Sequence, residues 1–235
     1  HQWIEEHPEF YTKDSMGSII PPNPDWTDVA DLNFENKELW SEMIEALKFW
    51  VEECDIDGYR CDVAGMVPIE FWIDARTELE KIKNVFMLAE WDTPEVHKAF
   101  DMTYDWNLHD IMNGIAKGEK TVIDLIEHLK KNEEEFPTNA FRMQFTSNHD
   151  KNSWNGTVFE RLGDGVEAFA VLTCLIPDMP LIYTGQEAGN NKRLSFFEKD
   201  IVEWKEHKLF DIYSKFFQLK KDSKALQNGE QGGGD

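Results

Sequence analysis

Short apolar runs of strand length recur along this chain with helix-length stretches between them, and that rhythm limits the fold more than any other feature. Ile56 to Asp62, "NVFMLAEW" (84–91), "AFDMTYDW" (99–106), "FRMQFTSNHD" (141–150) and "PLIYTG" (180–185) read as strands. A helix is expected after Asn36, a plausible N-cap, with Leu39, Met43, Leu47, Trp50 and Cys54 at helical spacing. Others are expected from Pro68 to Lys83, from Thr121 to about Glu135 with Val122, Ile126 and Leu129 on one face, over 165–177, and from about His207 to Ser223. Five strands alternating with helices imply an α/β fold with parallel βαβ units, whose strands are covered on both faces and therefore almost continuously apolar. Residues 1–35, around "PPNPDW", read as loop, and residues 227–235, ending in "GGGD", as linker.

A doubly wound sheet and a piece of a (β/α)8 barrel both satisfy this rhythm, and the acidic residues favour the barrel. Asp62, Glu90, Asp150 and Glu187 lie at or just past the C-terminal ends of different strands. Barrel enzymes build their sites at that rim, from several strands. Arg60 and Asp62, two apart, share one strand face. On a strand that reads as buried, they should be either a structural ion pair or a carboxylate held ionised for chemistry.

Composition narrows the partners. With 46 acidic against 24 basic residues the net charge is −22, which argues against nucleic acid or an anionic membrane surface. No apolar run approaches the roughly 20 residues of a membrane span. Cys54, Cys61 and Cys174 form neither a disulfide framework nor a zinc spacing and read as small buried hydrophobes. Nine tryptophans and sixteen phenylalanines in an acidic chain suit a neutral sugar ligand, since rings stack on pyranoses while carboxylates bind hydroxyls. Trp40, Trp50 and Trp72, inside helices, read as core; Trp106 and Trp154, just after strand ends, are weaker stacking candidates. His97, His109 and His128 read as solvated.

Two carboxyl groups can cleave a glycosidic bond, one attacking the anomeric carbon and the other acting as acid and then base. Arg60 would keep Asp62 ionised, whereas the apolar run "FMLAEW" would favour a protonated Glu90. Asp150, with His149, could hold sugar hydroxyls and favour a distorted ring.

These segments also resemble, in order, motifs of the α-amylase family, glycoside hydrolase family 13. "DGYRCD" is similar to its nucleophile motif, "LAEW" to its general-acid segment and "FTSNHD" to its strand-seven segment. "VADLN" (Val29 to Asn33) is similar to its loop-domain motif, and "YTGQEAG" (Tyr183 to Gly189) to its strand-eight motif. The resemblance implies Asp62 as nucleophile, Glu90 as acid/base and Asp150 as transition-state stabiliser. It implies Arg60 and His149 as substrate-binding residues and Asp31 as a candidate calcium ligand; Asn148, beside His149, and Trp91, beside Glu90, join the substrate-binding candidates, Trp91 as either a stacking ring or pocket wall. The implied substrate is an α-glucan such as starch or a maltooligosaccharide, cleaved with retention. A polymer substrate tilts the expected compartment towards a secreted or periplasmic one.

Two departures from the family pattern matter. The lysine–histidine pair that often follows the nucleophile is replaced by Gly65 and Met66, which leaves oligosaccharide-processing α-glucosidase or transglycosidase activity open. The family's strand-three segment, with an aspartate and an asparagine–histidine pair, has no counterpart. The expected organisation is therefore a partial TIM barrel, strands 4–8, at residues 36–226, preceded by the remainder of a loop domain at 1–35. Residues 227–235 would lead to a C-terminal domain. The absent half-barrel would come from a parent chain or be masked by self-association, and the 235 residues alone should be catalytically silent. A non-catalytic relative would be expected to lack Asp62, Glu90 or Asp150, and all three are present.

Overall fold

The computed structural model describes residues 2–227, so the linker reading lies, apart from Gln227, outside the described residues. Among these residues five strands form, each shorter than its apolar run: β1 (Gly58–Cys61), β2 (Phe86–Ala89), β3 (Met102–Tyr104), β4 (Phe141–Phe145) and β5 (Met179–Leu181). They follow one another across the sheet in chain order. A doubly wound sheet reverses its order at a switch point, whereas a barrel does not. The polar residues expected at the strand ends lie beyond the ladders, in the connections. The chain divides into two compact units, residues 1–87 and 88–235, within β2.

In the first unit, helix α1 (Trp3–Glu6) and the loops up to residue 36 lead into α2 (Lys37–Cys54) and, after β1, α3 (Ile69–Glu80). Asn36 caps α2 by accepting from Glu38 N–H at 2.9 Å. The loops carry their own apolar core: Phe10 and Tyr11 pack with Leu39 of α2, flanked by Trp3, Ile19, Leu32 and Met43. Phe34 and Trp40 both meet the Phe71 ring of α3 edge-on, 5.1 and 5.7 Å between centroids. The buried indoles of Trp40 and Trp72 donate to Phe34 O at 2.8 Å and Ala64 O at 3.0 Å, so neither buries an unpaired N–H. Trp50 departs from its expected core position and is 51% exposed, stacked edge-on against Phe49. Cys54, on the same stripe, is exposed too, whereas Cys61 and Cys174 are buried.

In the second unit β2 to β5 pair in parallel, with Leu88 opposite Met102, Met102 opposite Phe141, and Met143 opposite Met179. One face carries Met102, Tyr104, Met143 and Phe145, joined by Leu88, Trp106 and Leu181. The alternate residues, Thr103, Arg142 and Gln144, are polar and buried. Connections run through α4 (Trp106–Lys117), α5 (Val122–Glu135), α6 (Val158–Leu162), α7 (Val166–Leu175) and α8 (Lys208–Asp222). The last three close a second core, with Leu162, Ala170 and Cys174 against Leu209 and Tyr213.

Helix α4 was not expected. It follows β3 after a single residue, Asp105, which caps it by accepting from Leu108 N–H at 3.0 Å. Helix α5 begins after Thr121, as anticipated, with Thr121 and Asp124 forming a capping box, but Val122 and Ile126 of its apolar stripe are exposed. The buried residue of α5 is His128, whose Nε2 lies 2.9 Å from Asp105. His109 is buried as well, and His97 is half-buried, so the solvated reading fails for all three. Each ring has polar partners that make burial tolerable.

Two outcomes follow. Gly58 sits where a Cβ would lie 2.0 Å from Phe86 O, a backbone atom that no rotamer change can move. Gly58→Ala should cost about 3 kcal/mol, read as a lower urea midpoint. His97 accepts from Thr103 and donates to Phe100 O, and burial followed by the Arg142 charge pushes its pKa down to about 4 against the opposing charge of Asp101. The unfolded chain therefore takes up a proton near pH 6.5 that the folded chain refuses. Stability from this group should be complete above about pH 6.5 and drain away as pH falls towards about 4. Melting temperatures across that window should fall less steeply in His97→Gln.

Candidate active site

Just past β1, in the first unit, the Arg60 guanidinium donates to the Asp62 carboxylate. The pairing is as expected, but its burial is not: the Asp62 side chain is 71% exposed. Cys61, between them, takes the buried side of the strand, where burial pushes its thiol up to about 12. Arg60 and Asp62 take the opposite, open side. Val63 follows with φ 41°, a left-handed conformation that a β-branched residue adopts only under constraint. The backbone is thus turned sharply at the residue after the candidate nucleophile, into the short 3-10 turn at Ala64–Met66.

The second unit positions the other two acids. Glu90, directly after β2, is half-buried, as is Trp91. Their segment is held at Asp92, which accepts from the Arg142 guanidinium through one oxygen. Its other oxygen accepts from Asn107 N and Nδ2 at 3.1 and 3.0 Å. Arg142 also lies 3.3 Å from Asp105 and 3.8 Å above the Phe136 ring. Burial by itself would raise the Asp105 carboxyl, but the His128 hydrogen bond and the Arg142 charge outweigh it and hold the group below its ordinary range.

After β4 the backbone carries Thr146, Ser147 and Asn148 inside and turns His149 and Asp150 outward. His149 Nε2 stands 3.5 Å from Asp150 Oδ2, and its ring stacks on Phe196 at 27° between planes. Asn148, expected beside substrate, is 1% exposed, and its Oδ1 accepts from Lys151 N–H at 2.8 Å. In this structure Asn148 holds the loop. Burial, and then the Asp150 charge, raise the Tyr183 hydroxyl. Glu187 is half-buried in the same unit.

Sequence reasoning missed the side chains that fix this loop. Arg161, on α6, donates to Gly156 O at 2.8 Å, Asn113 Oδ1 at 2.8 Å and Thr146 O at 2.7 Å. Its burial lowers its pKa to about 10, so it stays charged. His109 Nε2, 3.2 Å from Arg161 Nη1, must accept, which leaves its proton on Nδ1 facing Asp110. Gln186 Nε2 donates to Thr146 Oγ1 at 2.6 Å and to the Tyr213 hydroxyl. An arginine in an isolated one-turn pattern carries no sequence signal for these roles.

Asp31 is half-buried in the loops of the first unit, where its backbone O accepts from Thr12 N–H at 3.0 Å; no three His, Cys, Asp or Glu side chains group together among the described residues. No helix among them is long and apolar enough to cross a membrane.

Comparison with known proteins follows the same geometry. The family model for the alpha-amylase catalytic domain matches residues 24–208. Alpha-amylase 2 of Dictyoglomus thermophilum is 28% identical over 218 residues, covering 84% of this chain and 38% of that protein. The crystal structure of an alpha-amylase from Lactobacillus plantarum superposes with TM-score 0.84 at 30% identity, over 93% of this chain and 56% of that one. A maltogenic alpha-amylase from Thermotoga neapolitana superposes with TM-score 0.87 at 28% identity, over 96% and 53%. The chain therefore spans well under half of the curated relative and just over half of the solved structures.

Removing Arg161 should loosen the loop that carries His149 and Asp150. Arg161→Met leaves Thr146 O, Gly156 O and Asn113 Oδ1 without their donor, and each buried acceptor left unpaired costs about 1–3 kcal/mol. A loss of about 3 kcal/mol or more is expected in chemical unfolding, with faster amide exchange between residues 146 and 156.

Proposed function

The chain belongs to the alpha-amylase family of glycoside hydrolases, and we propose that the protein it is part of cleaves α-glucans with retention of configuration. The observation that carries this reading is the placement of two acids. Asp62 and Glu90 each stand one residue beyond a strand, after Cys61 and Ala89, and Asp62 is paired with Arg60. Active-site groups of (β/α)8 enzymes come from such strand ends.

In the proposed cycle an Asp62 oxygen attacks the anomeric carbon while Glu90 gives its proton to the glycosidic oxygen, and the shortened glucan leaves with that proton. A covalent glycosyl ester to Asp62 results. Glu90, now a carboxylate, takes a proton from water as the water oxygen attacks the same carbon. That step breaks the ester and restores both groups. Two inversions at one carbon return the α-anomer. Retaining chemistry needs the two carboxyl groups about 5–5.5 Å apart. Arg60 serves the carboxylate form of Asp62, and Asp150, with His149 beside it, is suited to hold sugar hydroxyls as the ring flattens.

A second reading, transfer to a sugar acceptor, has support in one local feature. The turn after Asp62 exposes Gly65 and Met66. An exposed apolar side chain there can pack on the ring face of an acceptor sugar, which favours transfer, and product ratios at rising maltotriose concentration decide between hydrolysis and transfer.

Proton NMR of the first product from maltoheptaose should show the α-anomer, and early β-anomer would overturn the mechanism. Asp62→Asn should lower kcat by orders of magnitude with the melting temperature nearly unchanged. Glu90→Gln should lose about 10²–10⁴-fold on maltoheptaose but far less on an aryl α-maltoside, whose leaving group needs little protonation.

A further inference from the structure

Three aromatic rings stand exposed together on the second unit, at the edge of the loop that carries His149 and Asp150. Trp154 is 58% exposed, Phe196 41% and Phe197 73%. The Trp154 and Phe196 centroids are 5.0 Å apart, those of Phe196 and Phe197 4.9 Å and those of Trp154 and Phe197 6.2 Å. On its other side Phe196 carries the His149 ring, so the cluster is continuous with the candidate site.

The rings are held in place. Trp154 lies in a single π-helical turn, Lys151–Asn155, and the two phenylalanines lie in the 191–200 loop. Side chains of the first segment bind the backbone of the second. Asn152 Oδ1 accepts from Leu194 N at 2.8 Å and its Nδ2 donates to Lys192 O at 3.2 Å, while Ser153 Oγ donates to Leu194 O at 2.7 Å. Asn152 is buried, so these bonds are shielded from water. Asp200 then pins the far end of the loop by accepting from Ser195 N and Ile201 N and pairing with Lys192.

A rigid, exposed trio of rings is costly in water and marks a binding surface. Its surroundings select the ligand. Ser195, Glu198 and Lys199 are exposed in the same loop, so hydroxyl-binding groups rim the rings. An apolar ring face with hydroxyls at its edge is the shape of a pyranose. The chain's net charge of −22 disfavours a polyanion.

We propose that Trp154, Phe196 and Phe197 form an outer subsite on which glucose units of an α-glucan stack as the chain extends away from His149 and Asp150. The inference rests on the α-glucan reading above and adds to it where the polymer is gripped beyond the bond that is cut. Phe196, shared with His149, joins the two regions. Longer maltooligosaccharides, which can occupy the cleavage point and all three rings at once, gain affinity from this grip, whereas maltose, with two glucose units, does not fill both.

The test is calorimetric titration of the full-length protein carrying Asp62→Asn, so that ligand survives, with maltoheptaose and with maltose. Adding Trp154→Ala and Phe197→Ala should raise the Kd for maltoheptaose at least tenfold and leave that for maltose unchanged, and Trp154→Phe should restore most of the loss. Should the double variant melt early, Phe197→Ala alone, the more exposed change, is read in its place. Unchanged maltoheptaose affinity in a folded variant overturns the subsite while leaving the hydrolase reading intact. Dissociation of a dimer on size exclusion with affinity retained overturns it too, by assigning the rings to a second copy. Absence of binding to both sugars before the rings are altered overturns instead the α-glucan reading on which the subsite rests.

Discussion

Arg142 is the point on which the second unit depends. It sits on the polar face of β4, 2% exposed, with Asp92, Asp105 and the Phe136 ring around it. Asp92 belongs to the connection after β2, Asp105 ends β3 and caps α4, and Phe136 ends α5. One cation therefore ties together the ends of two strands and two helices. An ion this deeply buried must be paired, and losing either partner leaves a charge that water cannot reach. The dependence is mutual: His128 and Arg142 outweigh the burial of Asp105 and hold its carboxyl below its ordinary range, and Arg142 is tolerated because two carboxylates face it.

The same physical device recurs wherever a connection must present a functional group. The segment carrying Glu90 and Trp91 is held at Asp92, two and one residues later. His149 and Asp150 are fixed through Arg161, which donates to the carbonyls of Thr146 and Gly156, through Gln186, which donates to the Thr146 hydroxyl, and through Asn152, which binds the backbone of the 191–200 loop. Asp62 is handled differently, by an arginine on its own strand and by a strained residue directly after it. Parallel strands force this solution. Their C-terminal residues must leave the sheet at once, and buried polar side chains then do for the loop what hydrogen-bonded neighbours do for the strand.

Much of this was legible in the sequence, for reasons that also mark where legibility ended. The alternation of apolar runs with helical spacing located the five strands and the longer helices because short buried strands leave compact apolar runs that helices spread out. Helix α4 escaped because "WNLHDIMNGIAK" mixes apolar positions with His109, Asn113 and Gly114. His109 and Asn113 are polar because they meet Arg161, a partner 48 to 52 residues away that no local pattern announces. His128 was misread for the same reason, as its partner Asp105 is 23 residues distant. Trp50 and Cys54 fell on a helical stripe yet face outward, since a stripe fixes a relative face and not what covers it. The strand-end acids were found by position, and Asp62 proved more open than a buried strand implies because only one side of β1 is covered.

The features that separate this chain from a generic barrel therefore lie in its connections rather than its strands. The strands specify that carboxylates emerge at their ends. On the function proposed above, they do not specify which sugars would lie beyond the bond to be cleaved. That choice falls to residues such as Met66 after β1 and the loops after β4 and β5, whose exposure is set by a few buried hydrogen bonds. Asn152 illustrates the economy of the arrangement. A single amide, accepting from Leu194 and donating to Lys192, both closes the turn after β4 and sets the loop that carries Phe196 and Phe197. Changes in the exposed rings can alter what is bound without disturbing that clasp, whereas changes in the clasp would move His149 and the rings together. On the proposed function, specificity and catalysis would thus be coupled through the backbone of one loop pair and separable at its surface.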